Sequence, residues 1–217
     1  MLFLFYNKTA FNDNISEWNV SKVSNMNRMF GDATAFNQDI SNWNTSNVKI
    51  MIRMFNNATG FNQDISNWNT SNVTSMSHMF QYAANFNQDI STKVNINMNN
   101  STYTAWDVSK VTVMEKVFQF ASNFNRDIGS WNVSNVTDMS DMFNSALVFN
   151  QPIGSWNVSK VTDMRYIFHK NPAFNQEIRN WDVSNVSTFM AMFSQATRMN
   201  AAPWNAPESP DASWFNQ

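Results

Sequence analysis

The chain has 217 residues, a formal net charge of −2 and only 14% charged residues, so nothing argues for an electrostatic grip on nucleic acid or an anionic membrane. Cysteine is absent, which excludes disulfides and thiolate metal sites, and no apolar run approaches the roughly 18 residues that a membrane span needs. Aromatic residues reach 15%, and Phe (19), Met (15) and Trp (9) supply enough large apolar side chains for a sizeable core.

The chain opens on Met1-Leu2-Phe3-Leu4-Phe5, which is too short for a signal-peptide core and is followed by no clear cleavage site. From Phe11 onward a 25-residue unit repeats. FNQDI recurs at Phe36, Phe61 and Phe86, and full units begin at residues 11, 36, 61, 86, 124, 149 and 174. Residues 1–10 are a partial unit. The single long interval, from Phe86 to Phe124, holds 13 extra residues at 92–104, a polar and Asn-rich stretch read as an inserted surface loop. The repeat array spans 1–198, and 199–217 form a C-terminal cap or assembly segment.

With the unit's Phe as position 1, position 2 is always Asn, position 5 Ile and position 8 Trp: Trp18, Trp43, Trp68, Trp106, Trp131, Trp156 and Trp181. Position 13 is Val, position 20 Phe, and position 16 Met until Phe189. Positions 13, 16, 19, 20 and 23, as in Val73, Met76, Met79, Phe80 and Ala83, follow an amphipathic helix face. This spacing predicts a helix of two to three turns, with Ser71 or Thr74 as N-cap. The front half has no helical period and predicts a short strand or extended rung around 63–66. A lone unit cannot bury its own apolar columns, so units must stack, each covering its neighbour. Asn at position 2, and Asn or Asp at position 9, suit ladders that satisfy turn backbone groups and one another.

The units FNQDISNWNTSNVTSMSHMF at 61–80 and IGSWNVSNVTDMSDMF at 128–143 resemble the surface-protein repeats of the BspA-like leucine-rich-repeat family, which includes repeats of the same length in mycoplasma lipoproteins. The resemblance covers about residues 1–199. It implies a cell-surface or secreted setting, a role in adhesion or protein binding, and no enzymatic activity. The expected fold is an α/β repeat: an LRR-like right-handed solenoid of seven strand–turn–short-helix units with parallel strand stacking. The ordinary L-x-x-L-x-L signature is absent, with Phe, Ile and Trp in the core columns.

Candidate sites divide between binding and architecture. Asp39, Asp64, Asp89, Asp127 and Glu177 share position 4, where stacking would bring carboxylates together for Ca²⁺, or where each would cap its own turn. The Trp column is a sugar-stacking platform or core, and core is favoured; Trp204 and Trp214, outside the frame, are the better candidates for an exposed contact. Sequons at Asn19, Asn44, Asn69, Asn132 and Asn157 arise from the repeat, and Asn100 in the insertion is best placed for a glycan. The two histidines, His78 and His169, sit at different positions of the unit without a recurring Ser or Asp partner for a triad. No catalytic, cofactor-binding or metal residues are assigned, and no cofactor is expected.

The expected function is non-catalytic: a cell-surface or extracellular repeat protein acting in adhesion or protein–protein interaction, with a protein or surface glycan as partner. The alternative is a structural subunit of a filament or coat. Met1 aligns with position 16, so the 199–217 tail could complete a neighbouring chain's first unit head to tail. The rival reading has the Pro-rich tail (Pro203, Pro207, Pro210) folding back as a cap on its own chain.

Overall fold

The structure is a computed structural model that describes residues 1–97 and 100–215. Met98 and Asn99 of the expected 92–104 insertion, and Asn216 and Gln217 of the tail, lie outside the described residues.

Among the described residues, regular secondary structure is confined to four short pieces. Strands β1 (Lys93–Ile96) and β2 (Thr102–Ala105) form one antiparallel hairpin, α1 (Thr197–Asn200) is a single helical turn, and a 3₁₀ turn covers Ala212–Trp214. Everything else is turns and irregular chain. The expected α/β solenoid of strand–turn–helix units, with its leucine-rich-repeat character, is therefore contradicted. No strand forms at 63–66, and no helix forms between Val73 and Ala83. Neighbouring units touch through isolated parallel bridges instead, one residue per unit, as in Ile50 with Ser75 and Ser75 with Val113.

The hydrogen bonding of positions 16 to 23 explains why the helical spacing does not become a helix. In the unit that begins at Phe36, the amides of Met51, Arg53, Phe55 and Asn57 donate to Ser75, Ser77, Met79 and Gln81 of the next unit. The amides between them, on Met54, Asn56 and Ala58, donate three residues back, to Met51, Arg53 and Phe55. Every second amide thus points along the stack, whereas an α-helix would direct all of them to i−4. The alternation requires a left-handed residue at positions 18 and 22, here Arg53 (φ 53°) and Asn57 (φ 55°). For L-residues each costs about 1–2 kcal/mol, offset by the bonds between units and by burial. An isolated two-turn helix would itself be marginal in water.

The apolar face survives this change of backbone because consecutive tight turns also bring positions 16, 19, 20 and 23 inward. Met51, Met54, Phe55 and Ala58 are fully buried, as are their equivalents in most other units. The two Phe columns interdigitate: Phe55 and Phe61 lie with ring centroids 4.0 Å apart and planes 9° apart, and Phe55 meets Phe80 at 5.6 Å. Contacts between position 20 rings of successive units run from Phe5 to Phe193 at 5.5–5.9 Å, within the favourable range for aromatic pairs.

Polar ladders close the edges. The Asn62 side-chain oxygen accepts from the Asn87 amide at 2.9 Å, and Asn37 serves Asn62 in the same way. Gln88 reaches back to the Asn62 carbonyl at 2.8 Å. Each buried Trp of the repeat donates its indole N–H to the position 5 carbonyl of the unit before, as Trp43 does to Ile15 at 3.2 Å. Where Gly129 stands, an added Cβ would lie 2.5 Å from the Pro152 carbonyl oxygen, so the close approach of the next unit demands glycine.

The tail packs on its own last unit. Phe193 donates its amide to Glu208 at 2.9 Å, Ala191 donates to the Ser209 hydroxyl at 2.8 Å, and Trp214 meets the Phe193 ring edge-on at 5.2 Å. In this structure the segment expected to complete a neighbouring chain is occupied as an intramolecular cap.

Candidate functional site

Positions 6 to 11 of the first units form a polar shelf. Two tight turns build it in each unit. In the second unit Trp43 donates its amide to Ile40 and Val48 donates to Thr45, which turns the Trp inward and the intervening residues outward. Asn44 holds the second turn: its side-chain oxygen accepts from the Ser46 amide at 3.1 Å and the Ser46 hydroxyl at 2.7 Å. Asn19 and Asn69 do the same with Ser21 and Ser71. Fixing each oxygen leaves the amide nitrogen facing outward, and among the described residues none of these three nitrogens has a partner.

The β1–β2 hairpin walls this shelf. The Tyr103 hydroxyl donates to the Asn67 carbonyl at 2.6 Å, and the Asn95 amide donates to the Asn67 side-chain oxygen at 3.0 Å. Between hairpin and shelf lies an open groove of about 890 Å³, lined chiefly by Asn, Ser, Thr, Trp and Tyr. Among the described residues, Glu17 is the single charged one in that lining. Trp18, at one end, is 39% exposed, the one member of its column that faces water.

The remaining candidates from the sequence are mostly absorbed by architecture. Asp39, Asp64, Asp89 and Asp127 each accept from the amide two residues on, and Glu177 accepts from Arg179, so the position 4 carboxylates cap their own turns. Hydrogen bonds from Ser41 hold the Asp39 carboxyl below its usual range, and those from Arg179 do the same for Glu177. Among the described residues, no three His, Asp or Glu side chains gather where they could hold a metal ion.

Six of the seven repeat Trp are buried, in keeping with the core reading of that column. Trp204 and Trp214, expected as exposed contacts, belong to the tail cap instead. Trp214 is buried, and Trp204 lies beneath the Arg179 guanidinium, 5.2 Å from its ring centre, while donating to Asn175. The sequon residues Asn132 and Asn157 also hold turns through Ser134 and Ser159, whereas Asn100 is exposed near the hairpin tip.

His78 is buried between units, with the Arg53 guanidinium 3.3 Å and the Glu115 carboxylate 3.9 Å from its Nε2. Burial, reinforced by Arg53, pushes its imidazole down to about 4. Its Nδ1, like that of His169, has no partner among the described residues. His169 contacts Tyr166 edge-on.

The hairpin is the element that the repeat pattern hides, since an insertion outside the 25-residue frame reads as a surface loop. Its signal is nonetheless present: KVNI and TYTA both carry the two-residue alternation of strands. A second exposed surface is apolar, where Tyr82 and Phe120 stack at 4.7 Å beside Leu147. No helix among the described residues is long and apolar enough to cross a membrane.

A family model described as "Mycoplasma protein of unknown function, DUF285" matches the chain twice, over residues 1–93 and 92–205. The two matches meet at the start of the hairpin. No curated protein matches the chain. With nearly its whole length matched, the chain belongs to the Mycoplasma protein family DUF285.

Proposed function

We propose that this is a non-catalytic binding protein of the cell surface or extracellular space, acting in adhesion or protein–protein interaction. The observation that carries the reading is the groove between the Asn-rich shelf and the β1–β2 hairpin. It is a concave, largely uncharged surface of Asn, Ser and Thr side chains carried on successive tight turns. Recognition needs convergent polar groups on a preformed scaffold, and the stacked aromatic core beneath supplies the scaffold.

The surface setting rests on the resemblance to BspA-like surface repeats, carried by the W-N-V-S-N-V-T-x-M core at residues 131–139. That likeness is one of repeat sequence and class, separate from the leucine-rich fold. The alternative reading, a filament or coat subunit stacked head to tail, would require the tail to leave Phe193 and Ala191 first.

The test combines light scattering, electron microscopy and surface binding with the purified chain. Dispersed particles that bind immobilised extracellular glycoproteins or intact cells above an albumin control are the expected result. Long fibres with no surface binding would overturn it.

A further inference from the structure

We infer that the groove between the hairpin and the shelf takes a neutral, hydroxyl-rich oligosaccharide lying along the stack of units, a deepening that rests on the binding-protein reading above. Three observations converge on this ligand class. First, Asn19, Asn44 and Asn69 offer one outward amide donor per unit, each aimed by an oxygen locked in its own turn. Equivalent side chains in successive units repeat at 5.5–5.8 Å, as Phe30 with Phe55 and Phe36 with Phe61 show, which is comparable to the length of one sugar ring. A chain of sugars can therefore meet a donor at each step.

Second, charge selects against other polymers. Among the described residues Glu17 is the one charged group in the lining, with no Lys or Arg to pair with phosphate, sulfate or sialic acid carboxylates. Hydroxyl groups need no counter-charge, and amides serve them as both donors and acceptors.

Third, Trp18 supplies a stacking face. The other six repeat Trp give their indole N–H to the preceding Ile carbonyl; that of Trp18 has no partner among the described residues, and the residue is 39% exposed, with its ring tilted against Phe5 at 5.6 Å. A ring with an apolar face and a free polar edge fits a sugar's C–H face and hydroxyl rim.

The test uses an array of neutral linear glucans, galactans and N-acetylhexosamine oligomers beside sialylated and sulfated glycans, followed by calorimetry on the best neutral hit. Two variants probe the groove. Asn44→Asp with Asn69→Asp removes the donors but keeps the oxygens that hold the turns, and position 9 already carries Asp at Asp107 and Asp182, so the fold is preserved. Trp18→Ala removes the stacking face. Binding restricted to neutral oligosaccharides, and weakened about tenfold or more by each variant, is the expected outcome.

Silence on every neutral glycan, binding of charged glycans alone, or affinity unmoved by both variants would overturn it. So would binding to immobilised glycoproteins that persists after enzymatic removal of their glycans and survives both variants; that result leaves the binding-protein reading standing. A wild-type chain that binds neither glycans, cells nor proteins defeats both.

Discussion

The indole N–H of Trp68 donates to the Ile40 carbonyl, 3.2 Å away in the preceding unit, and the ring is fully buried. One side chain thereby joins the apolar core to the backbone of its neighbour. Phe at this position would leave the Ile40 oxygen with the Trp43 amide as its one donor and open a small void. Trp68→Phe is expected to lower stability by about 2–4 kcal/mol. Trp18→Phe, at an exposed and unbonded member of the same column, should stay within about 0.5 kcal/mol. Denaturant unfolding of both variants is the check, and equal losses would refute the account.

The left-handed residues at positions 18 and 22 give a second test. Lys170 is exposed and has φ 52°, while its amide still donates to Ser194 at 2.8 Å. Because little packing complicates this site, substitution reads backbone strain almost alone. Lys170→Gly should raise stability by about 0.5–1 kcal/mol, and Lys170→Val should lower it by about 1–2 kcal/mol. Thermal melts in which Val outperforms Gly would contradict the turn assignment.

His78 predicts acid sensitivity. Burial, then Arg53, holds the folded imidazole at about 4, against an ordinary value near 6.5 in the unfolded chain. Between those values the unfolded state binds a proton that the folded state refuses. Stability is therefore complete above about pH 6.5 and falls as pH drops toward 4, by about 2–3 kcal/mol in all. Glu115, whose burial is outweighed by the bond from Lys116, also has a lowered carboxyl pKa and adds loss in the same direction at lower pH. His78→Asn, which tolerates the left-handed backbone at this position (φ 59°), should flatten the profile between pH 6.5 and 4. Melting temperatures across that range, compared with wild type, decide it.

Much of the stacking is legible in the sequence. Columns of Phe, Ile, Trp and Met at a fixed period must bury one another, and Trp43, Trp68 and Trp131 do lie inside. The asparagine ladder at position 2 follows from the same repetition, as Asn62 and Asn87 show. Secondary structure is where the sequence misleads. Val73, Met76, Met79, Phe80 and Ala83 have helical spacing, but consecutive tight turns also return side chains to one face at intervals of three and four. Periodicity cannot separate the two. Hydrogen-bond direction does, and that direction depends on which neighbour the amides of His78, Phe80 and Tyr82 find.

The candidate site is less legible still. Asn19, Asn44 and Asn69 are visible as a column, yet their meaning as donors depends on Ser21, Ser46 and Ser71 capturing the oxygens. Tyr103 and Asn95 are visible as part of an insertion, but not as a wall anchored on Asn67, 36 and 28 residues away in the chain. The sequence by itself determined that like residues stack on like, because a repeated apolar pattern has no other way to leave water. Only the tertiary structure decided that the units join by alternating turn and inter-unit bonds, and that the hairpin closes a groove over the shelf. Both rest on contacts between chemically ordinary amides, whose partners no local pattern specifies.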